Sequence, residues 1–334
     1  MEFVCMLSAA YERNFVQDDL KKVMAAFGRY THLPWAADKP PSDEEMLAVL
    51  RNTDVLLTGW ESPRLPLSYL EQPERRLRYI CNLTGSIQAM IPRAYAEKGV
   101  VVTNWGDGPM WYLAEGNLAL ILACTREMPR LRRHMLERPQ WTYPYAAPRP
   151  TLRRKTVGFV GFGAIAGVLY TLLKPFDCAI LVYDPYAADL PPDAQRAPTL
   201  RDLFARSDVL TVQCGLSKET IGMLDRPLLD LLPPHAIFIN TARGKIVVEK
   251  DLIAFLRARP DVFAGLDVYE QEPLPTDSPL LQMDNVICYP HSVGGGGEAT
   301  YAAASEFAAA NIRAFCTGGK LKAVITPEKY DRMT

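Results

Sequence analysis

Charge of one sign is what this 334-residue sequence most plainly lacks: 37 Lys and Arg stand against 38 Asp and Glu, a formal net charge of −1. So neutral a balance gives no general electrostatic hold on nucleic acid or anionic membrane. The seven cysteines (5, 81, 124, 178, 214, 288 and 316) stand singly, with no CxxC. They read as reduced, small buried hydrophobes rather than as a disulfide framework. Four histidines are too few for a His-rich metal site, and no metal is expected. Long apolar runs are missing as well. The longest uncharged stretch, residues 156–173, carries four glycines and is shorter than the roughly 20 apolar residues of a membrane span. Met1-Glu2-Phe3-Val4-Cys5 lacks the basic start of a signal peptide. The sequence therefore predicts a cytoplasmic protein with no nucleic-acid or membrane partner, and it contains no repeat of fixed period.

What is present is ordinary globular composition, 49% hydrophobic and 22% charged, in a length that suits about two domains. Short apolar runs alternate with helical stretches, the pattern of βαβ units and a largely parallel sheet. Strands are predicted at Phe3 to Leu7, Val55 to Thr58, Arg78 to Cys81 and Val100 to Thr103, and a capping box at Ser42 and Glu45 opens a helix. A long helix is predicted from Met110 to Glu127, ended by Pro129. Residues 129–154 lose periodicity and are rich in Pro and Arg, with Trp141, Tyr143 and Tyr145 among them. They read either as a surface linker or as an arm around a partner subunit. Further strands are predicted at Thr156 to Gly161, Ala179 to Tyr183, Val209 to Gln213, Ala236 to Asn240, Val262 to Leu266 and Val286 to Cys288, and a last helix at about Ala299 to Cys316.

The run Thr156 to Val160 leads directly into Gly161-Phe162-Gly163-Ala164-Ile165-Ala166, a G-x-G-x-x-G/A fingerprint with alanine in third place. Its glycines allow a tight turn and close approach of the backbone to a pyrophosphate, while the next helix offers its N-terminal amides. A second strand ends in Asp184, 21 residues after Gly163. That is close to the roughly 20 expected of the acid that accepts the ribose hydroxyls and repels the 2′-phosphate of NADP. NAD is the expected cofactor.

Three more segments follow strands of this block: Asn240-Thr241-Ala242-Arg243-Gly244, Gly265 to Pro273 with Asp267 and Glu272, and Tyr289-Pro290-His291-Ser292. In an open α/β sheet, ligands bind beyond the carboxyl ends of the strands, so these residues should converge. An arginine there can fork onto a carboxylate, and a histidine beside a carboxylate has its protonated form stabilised, which suits a general acid.

With these motifs in hand, the sequence resembles the D-isomer-specific 2-hydroxyacid dehydrogenase family, through LRRKTVGFVGFGAIA, YDP, CGLSKET, INTARGKIVVEKDL, AGLDVYEQEPLP and DNVICYPHSVGG. The resemblance implies an α/β protein of two Rossmann-like, flavodoxin-like domains with doubly wound parallel sheets. An NAD-binding domain (105–296, with a dimer arm at 129–154) would be inserted into a discontinuous substrate domain (1–104 plus 297–334). It implies hydride transfer between NADH and a small 2-keto acid, giving a D-2-hydroxy acid, in a homodimer. Arg243 would bind the substrate carboxylate and carbonyl oxygen, His291 would donate the proton, and Glu272 would hold and charge His291. Asp267 would contact the nicotinamide end, and Ala164 and Ile165 would lie under the pyrophosphate. Cys214, Gly215 and Thr220 would line the adenosine side, and Thr241, Ala242 and Arg243 would also border the cofactor. Gly85 and Ser86 would offer amides to the substrate carboxylate.

The chain departs from the family pattern at Ala164, where Arg is usual, at Gly215, where Pro is common, and at Val248, where Asp is frequent. The aromatic stretch Asn104 to Tyr112, with Trp105 and Trp111, either shapes the substrate pocket or packs an interdomain hinge. Glu272 argues against the formate dehydrogenase branch, which resembles this one but pairs its His with Gln. A second reading is an NAD(H)-sensing binding protein, as in the C-terminal-binding corepressors that share the fold and the catalytic set.

Overall fold

The computed structural model describes residues 1–35, 39–137, 151–294 and 297–331. The chain is α/β, with two parallel sheets. The first sheet runs β2-β1-β3-β4-β5, with β1 at Glu2–Cys5, β2 at Arg29–His32, β3 at Val55–Thr58, β4 at Tyr79–Asn82 and β5 at Val101–Thr103. Helices α1 (Ala9–Phe15), α2 (Asp18–Phe27), α3 (Asp43–Arg51) and α4 (Ala94–Glu97) connect them. Alternate residues supply opposite faces, as the pleat requires. Phe3, Cys5, Val55, Leu57 and Tyr79 pack on one side with Leu20, Val23 and Met24 of α2, whereas Val4, Leu56, Ile80 and Val102 pack on the other with Met46 and Leu50 of α3. The Ser42–Glu45 capping box is complete at the start of α3.

After α5 (Met110–Thr125) and α6 (Met128–Glu137), the second sheet is built from β6 (Thr156–Val160), β7 (Ala179–Tyr183), β8 (Ala194–Arg196), β9 (Val209–Val212), β10 (Ile237–Asn240), β11 (Phe263–Leu266) and β12 (Val286–Cys288). Between the strands lie α7 (Ala164–Leu173), α8 (Leu200–Arg206), α9 (Arg226–Leu229) and α10 (Glu249–Ala258). The strand order is β12-β11-β10-β9-β6-β7-β8. Val157, Phe159, Ile237 and Ile239 face α5 and α7, while Leu210, Val212 and Phe238 face α8 and α10. Burial on both faces is why these strands are continuous apolar runs rather than alternating ones. The chain ends with α11 (Glu298–Thr317) and α12 (Pro327–Tyr330). Ala304, Ala308 and Ile312 of α11 complete one face of the first sheet.

Two compact units result: residues 1–109 with 296–334, and residues 110–295. Trp105 to Pro109 thus belong with the first unit, where the sequence reading put the boundary at 104. No described helix is long and apolar enough to cross a membrane.

The structure departs from the sequence reading at Pro129 and at two sheet edges. Pro129 does not only end a helix. It lies in the first turn of α6, where no intrahelical amide is needed, so the 129–154 stretch begins as helix as far as Glu137. The remainder of the expected arm, with Trp141, Tyr143 and Tyr145, lies outside the described residues. Two strands, β2 and β8, were not predicted. Both are sheet edges, and their sequences, RYTH and AQR, carry no apolar run because only one side pairs and little is buried.

Candidate active site

Six neighbouring parallel strands of the second sheet each deliver a predicted segment at the carboxyl end: β6 the glycine turn, β7 Asp184, β9 Cys214 and Gly215, β10 Thr241 to Arg243, β11 Asp267, and β12 His291. β6 lies between β7 and β9, so the strand order reverses there, and such a switch point opens a crevice.

The glycine turn has the features of a phosphate cradle. Gly161 has φ +89°, and a Cβ there would approach Cys214 to 2.8 Å. Gly163 caps α7 with no side-chain bond to the first turn, and a Cβ built on it meets nothing within 4 Å. Space therefore lies over a ten-residue helix's N-terminus, with Ala164 and Ile165 in its first turn, where amides and dipole favour an anion. A dinucleotide pyrophosphate fits this set.

The Asp184 carboxylate accepts from the backbone amides of Phe162 at 2.7 Å, Tyr186 at 2.8 Å and Ala187 at 3.0 Å. It ties the glycine turn to the loop after β7. Arg196 fixes that loop from the other side by donating to the carbonyls of Asp184 and Ala187, both at 2.7 Å. On the β9 side, the Thr220 hydroxyl donates to the Gly215 carbonyl at 2.8 Å and accepts from the Ser217 amide at 2.7 Å. Burial pushes the Cys214 thiol up to about 11, so it stays protonated at neutral pH.

At the other end of the row, the His291 Nδ1 lies 2.6 Å from Glu272 Oε2. An ionised carboxylate only accepts, so opposite one Nδ1 is the donor. The two side chains are 48% and 36% exposed, accessible to a substrate. Glu272 is held in turn by the Tyr269 amide, which donates to Oε1 at 3.0 Å. His291 itself has φ +52°, an uncommon conformation for a side-chain-bearing residue. The chain beyond it is pinned by Asp267, whose carboxylate accepts from the Ser292 amide at 2.7 Å and the Val293 amide at 3.1 Å. Burial raises the Asp267 carboxyl above its usual range, against the lowering effect of those two amides.

Arg243 is half-buried. Burial pulls its guanidinium down from the usual value, while the charge of Glu272 acts in the opposite sense. One of its Nη atoms donates to the Ala242 carbonyl at 2.6 Å. The charge of Glu272, whose carboxylate meets the His291 ring, thus also acts on the Arg243 guanidinium, and all three belong to the second unit.

The sequence reading missed the parts that position this group. Asn240 accepts from the Ala242 amide and donates to the Arg243 carbonyl, both at 3.1 Å, which sets the turn carrying Arg243. Buried Asn117 of α5 accepts from Gln213 Nε2 at 2.8 Å and from the Thr241 hydroxyl at 2.7 Å, joining the ends of β9 and β10. Its signal was available as the lone side-chain amide of a largely apolar helix. Gly244 lets the β10 loop touch the β11 loop, since a Cβ there would come within 1.9 Å of the Tyr269 backbone.

Gly85 and Ser86 lie in the first unit, in the loop after β4. Asn104 Nδ2 donates to the Gly85 carbonyl at 2.8 Å. Among the described residues the amides of Gly85 and Ser86 have no acceptor. Trp105 packs against Gly85 and Trp60 within that unit, whereas Trp111 is exposed on α5.

Comparison with known proteins shows what the chain resembles in sequence and in fold. Residues 118–293 match the family model described as D-isomer specific 2-hydroxyacid dehydrogenase, NAD binding domain. A glyoxylate reductase of Thermofilum pendens is 31% identical over 297 residues, covering 87% of this chain and 86% of that one. A D-3-phosphoglycerate dehydrogenase of Methanocaldococcus jannaschii is 30% identical over 278 residues, 82% of this chain but 52% of the relative, so the chain spans about half the length of that protein. Among solved structures, a D-isomer specific 2-hydroxyacid dehydrogenase of Xanthobacter autotrophicus in complex with NADPH is 25% identical, with 98% of each chain covered and a TM-score of 0.75. One from Lactobacillus delbrueckii in an NAD complex shares the fold at 18% identity and a TM-score of 0.79, covering 98% of this chain and 100% of that one. With a matching family model over more than half its length and a relative aligned along most of it, the chain belongs to the D-isomer specific 2-hydroxyacid dehydrogenase family.

Proposed function

We propose that the protein is an NAD-dependent oxidoreductase that interconverts a 2-keto acid and a D-2-hydroxy acid, with His291 as acid and base. The observation that carries this reading is the 2.6 Å His291–Glu272 pair beside the half-buried Arg243. Gly161, Gly163, Ala164 and Ile165 would hold the cofactor pyrophosphate. Cys214, Gly215 and Thr220 would border the adenosine, and Thr241, Ala242 and Asp267 the nicotinamide end. Asp184 would take ribose hydroxyls and by its charge disfavour a 2′-phosphate, so NAD(H) is the preferred cofactor. When bound, NADH would supply the hydride that reduces the keto carbon.

The chain's own groups do the rest. Arg243 stays cationic at every working pH and grips the substrate carboxylate and carbonyl oxygen. His291, with Nδ1 donating to Glu272, carries a transferable proton at Nε2 and gives it to the carbonyl oxygen. In the reverse direction it takes the proton from the hydroxyl. Glu272, fixed by the Tyr269 amide, holds Nδ1 and sets the ring's orientation. On the first unit, the unpartnered amides of Gly85 and Ser86 are suited to a carboxylate oxygen. The residues 1–109 with 296–334 are read as the substrate domain and 110–295 as the NAD domain. The protein is read as a cytoplasmic homodimer, with α6 in the subunit contact: its Met128, Met135 and Leu136 are 54%, 49% and 68% exposed.

The test is oxidation of NADH and of NADPH in the presence of glyoxylate, hydroxypyruvate, pyruvate and bulkier 2-keto acids, with the configuration of the product determined. Turnover to the D-hydroxy acid is expected, faster with NADH. Firm NADH binding with turnover of none of them would contradict the reading and favour an NAD(H)-sensing binding protein.

A further inference from the structure

We infer that Gln213, oriented by Asn117, is a further cofactor-binding residue of the second unit: its side-chain oxygen accepts a hydrogen bond from an N–H or O–H of the nicotinamide nucleoside. This rests on the NAD(H) reading above. Gln213 follows β9 directly, and its backbone amide still donates to the Val160 carbonyl at the end of β6, at 2.8 Å. It therefore stands at the point where the strand order reverses, where ligands of open α/β sheets gather.

Polar groups are scarce on this face of the sheet, where Val157, Phe159, Ile237 and Ile239 pack against α5 and α7. A polar side chain buried there is costly unless it is hydrogen-bonded. Asn117 and Thr211 are both buried, and their bonds fix which way the Gln213 amide is turned. A backbone carbonyl only accepts, so Asn117 Nδ2 is the atom that donates to the Leu113 carbonyl, at 2.9 Å. Asn117 then presents Oδ1 at its other end, where it accepts from the Thr241 hydroxyl at 2.7 Å and from Gln213 Nε2 at 2.8 Å. Gln213 Nε2 gives its second proton to Thr211 Oγ1, also at 2.8 Å. Both amide protons are used within the protein, which leaves Gln213 Oε1 as an acceptor with no partner among the described residues. The residue is partly exposed, and this oxygen is not one of the sealed, unpaired atoms of the interior.

The chemistry of a dinucleotide selects what can meet it. Pyrophosphate oxygens only accept, whereas the carboxamide N–H and the ribose O–H groups donate. Two placements favour the nicotinamide half. Asn117 ties Gln213 to Thr241 after β10, on the side of β9 away from β7 and Asp184. Cys214, the next residue and a neighbour of the adenosine in the reading above, packs with the opposite face of the sheet, as alternation along a strand requires.

The experiment measures the affinities of ADP, ADP-ribose, NADH and reduced acetylpyridine adenine dinucleotide, in which a methyl ketone replaces the carboxamide. Gln213→Leu should bind NADH about tenfold more weakly than the wild type, because the donor is left unpaired, while ADP stays within about twofold. With the carboxamide as donor, the wild type binds the acetylpyridine analogue about tenfold more weakly than NADH, and Gln213→Leu no longer separates the two. With a ribose hydroxyl as donor, Gln213→Leu loses ADP-ribose by the same factor. Asn117→Ala, which frees the Gln213 amide to turn, should weaken NADH similarly, and adding Gln213→Leu to it should cost no more than about twofold further. Unchanged NADH affinity in Gln213→Leu, an equal loss of ADP, or full addition of the two losses in the double variant overturns the inference and leaves the NAD(H) reading intact. A wild type that binds neither NADH nor ADP overturns both.

Discussion

Asp184 gives three of a carboxylate's roughly four acceptor positions to backbone amides, which leaves about one open. Its position was legible from the 21-residue spacing to Gly163, but its second duty, joining the glycine turn to the β7 loop, was not, because nothing in the spacing tells which amides a carboxylate will meet. Asp184→Ala should weaken NADH binding by roughly 10- to 100-fold, as expected for loss of a charge-assisted bond. It should also narrow the preference of NADH over NADPH, measured by titration of both cofactors. Unchanged constants for both would remove Asp184 from the cofactor site. Arg243, Glu272 and His291 were equally legible as residues following strands. Asn240 and Tyr269, which orient them, were not, since a turn-setting amide and a backbone donor look alike in any loop sequence.

Among elements, α5 shows how packing hides in composition. Gly116 lies within it, where glycine costs a helix about 1 kcal/mol relative to alanine. The reason is contact: a Cβ on Gly116 would come within 1.9 Å of the Val293 carbonyl oxygen, two residues past His291. Gly116→Ala is expected to destabilise by about 1 to 3 kcal/mol through overpacking and to lower kcat by displacing the His291 loop. Gly167→Ala in α7, where a Cβ meets nothing within 4 Å, should stabilise by about 1 kcal/mol. Thermal melting and turnover of the two variants distinguish them, and a stabilised, fully active Gly116→Ala would refute the contact. The start of α10 gives a second case. Val248 caps it without a side-chain bond, at a position where the resemblance noted in the sequence would suggest Asp. Instead the Glu249 amide donates to the Glu270 carboxylate and the Glu270 amide to the Glu249 carboxylate, both at 2.9 Å. The missing cap is replaced by a reciprocal pair joining α10 to the β11 loop.

For the whole molecule, the buried strands were readable because both faces are covered and the apolar runs are continuous. β2 and β8 escaped because an edge strand has little to bury. α6 was hidden by reading Pro129 as an end and not a beginning. Its exposed Met135 and Leu136 bear on assembly: sedimentation should find twice the chain mass, and a double Met135→Glu, Leu136→Glu variant should shift it toward the single chain. A wild-type monomer at micromolar concentration would contradict the dimer. The account as a whole turns on one proton donor. When NADH and a 2-keto acid are mixed with His291→Asn and the decay of NADH is followed in a single turnover, the rate is expected to fall by about 10²- to 10⁴-fold while the NADH dissociation constant stays within about threefold of the wild type. A variant that consumes NADH at the wild-type rate would contradict it.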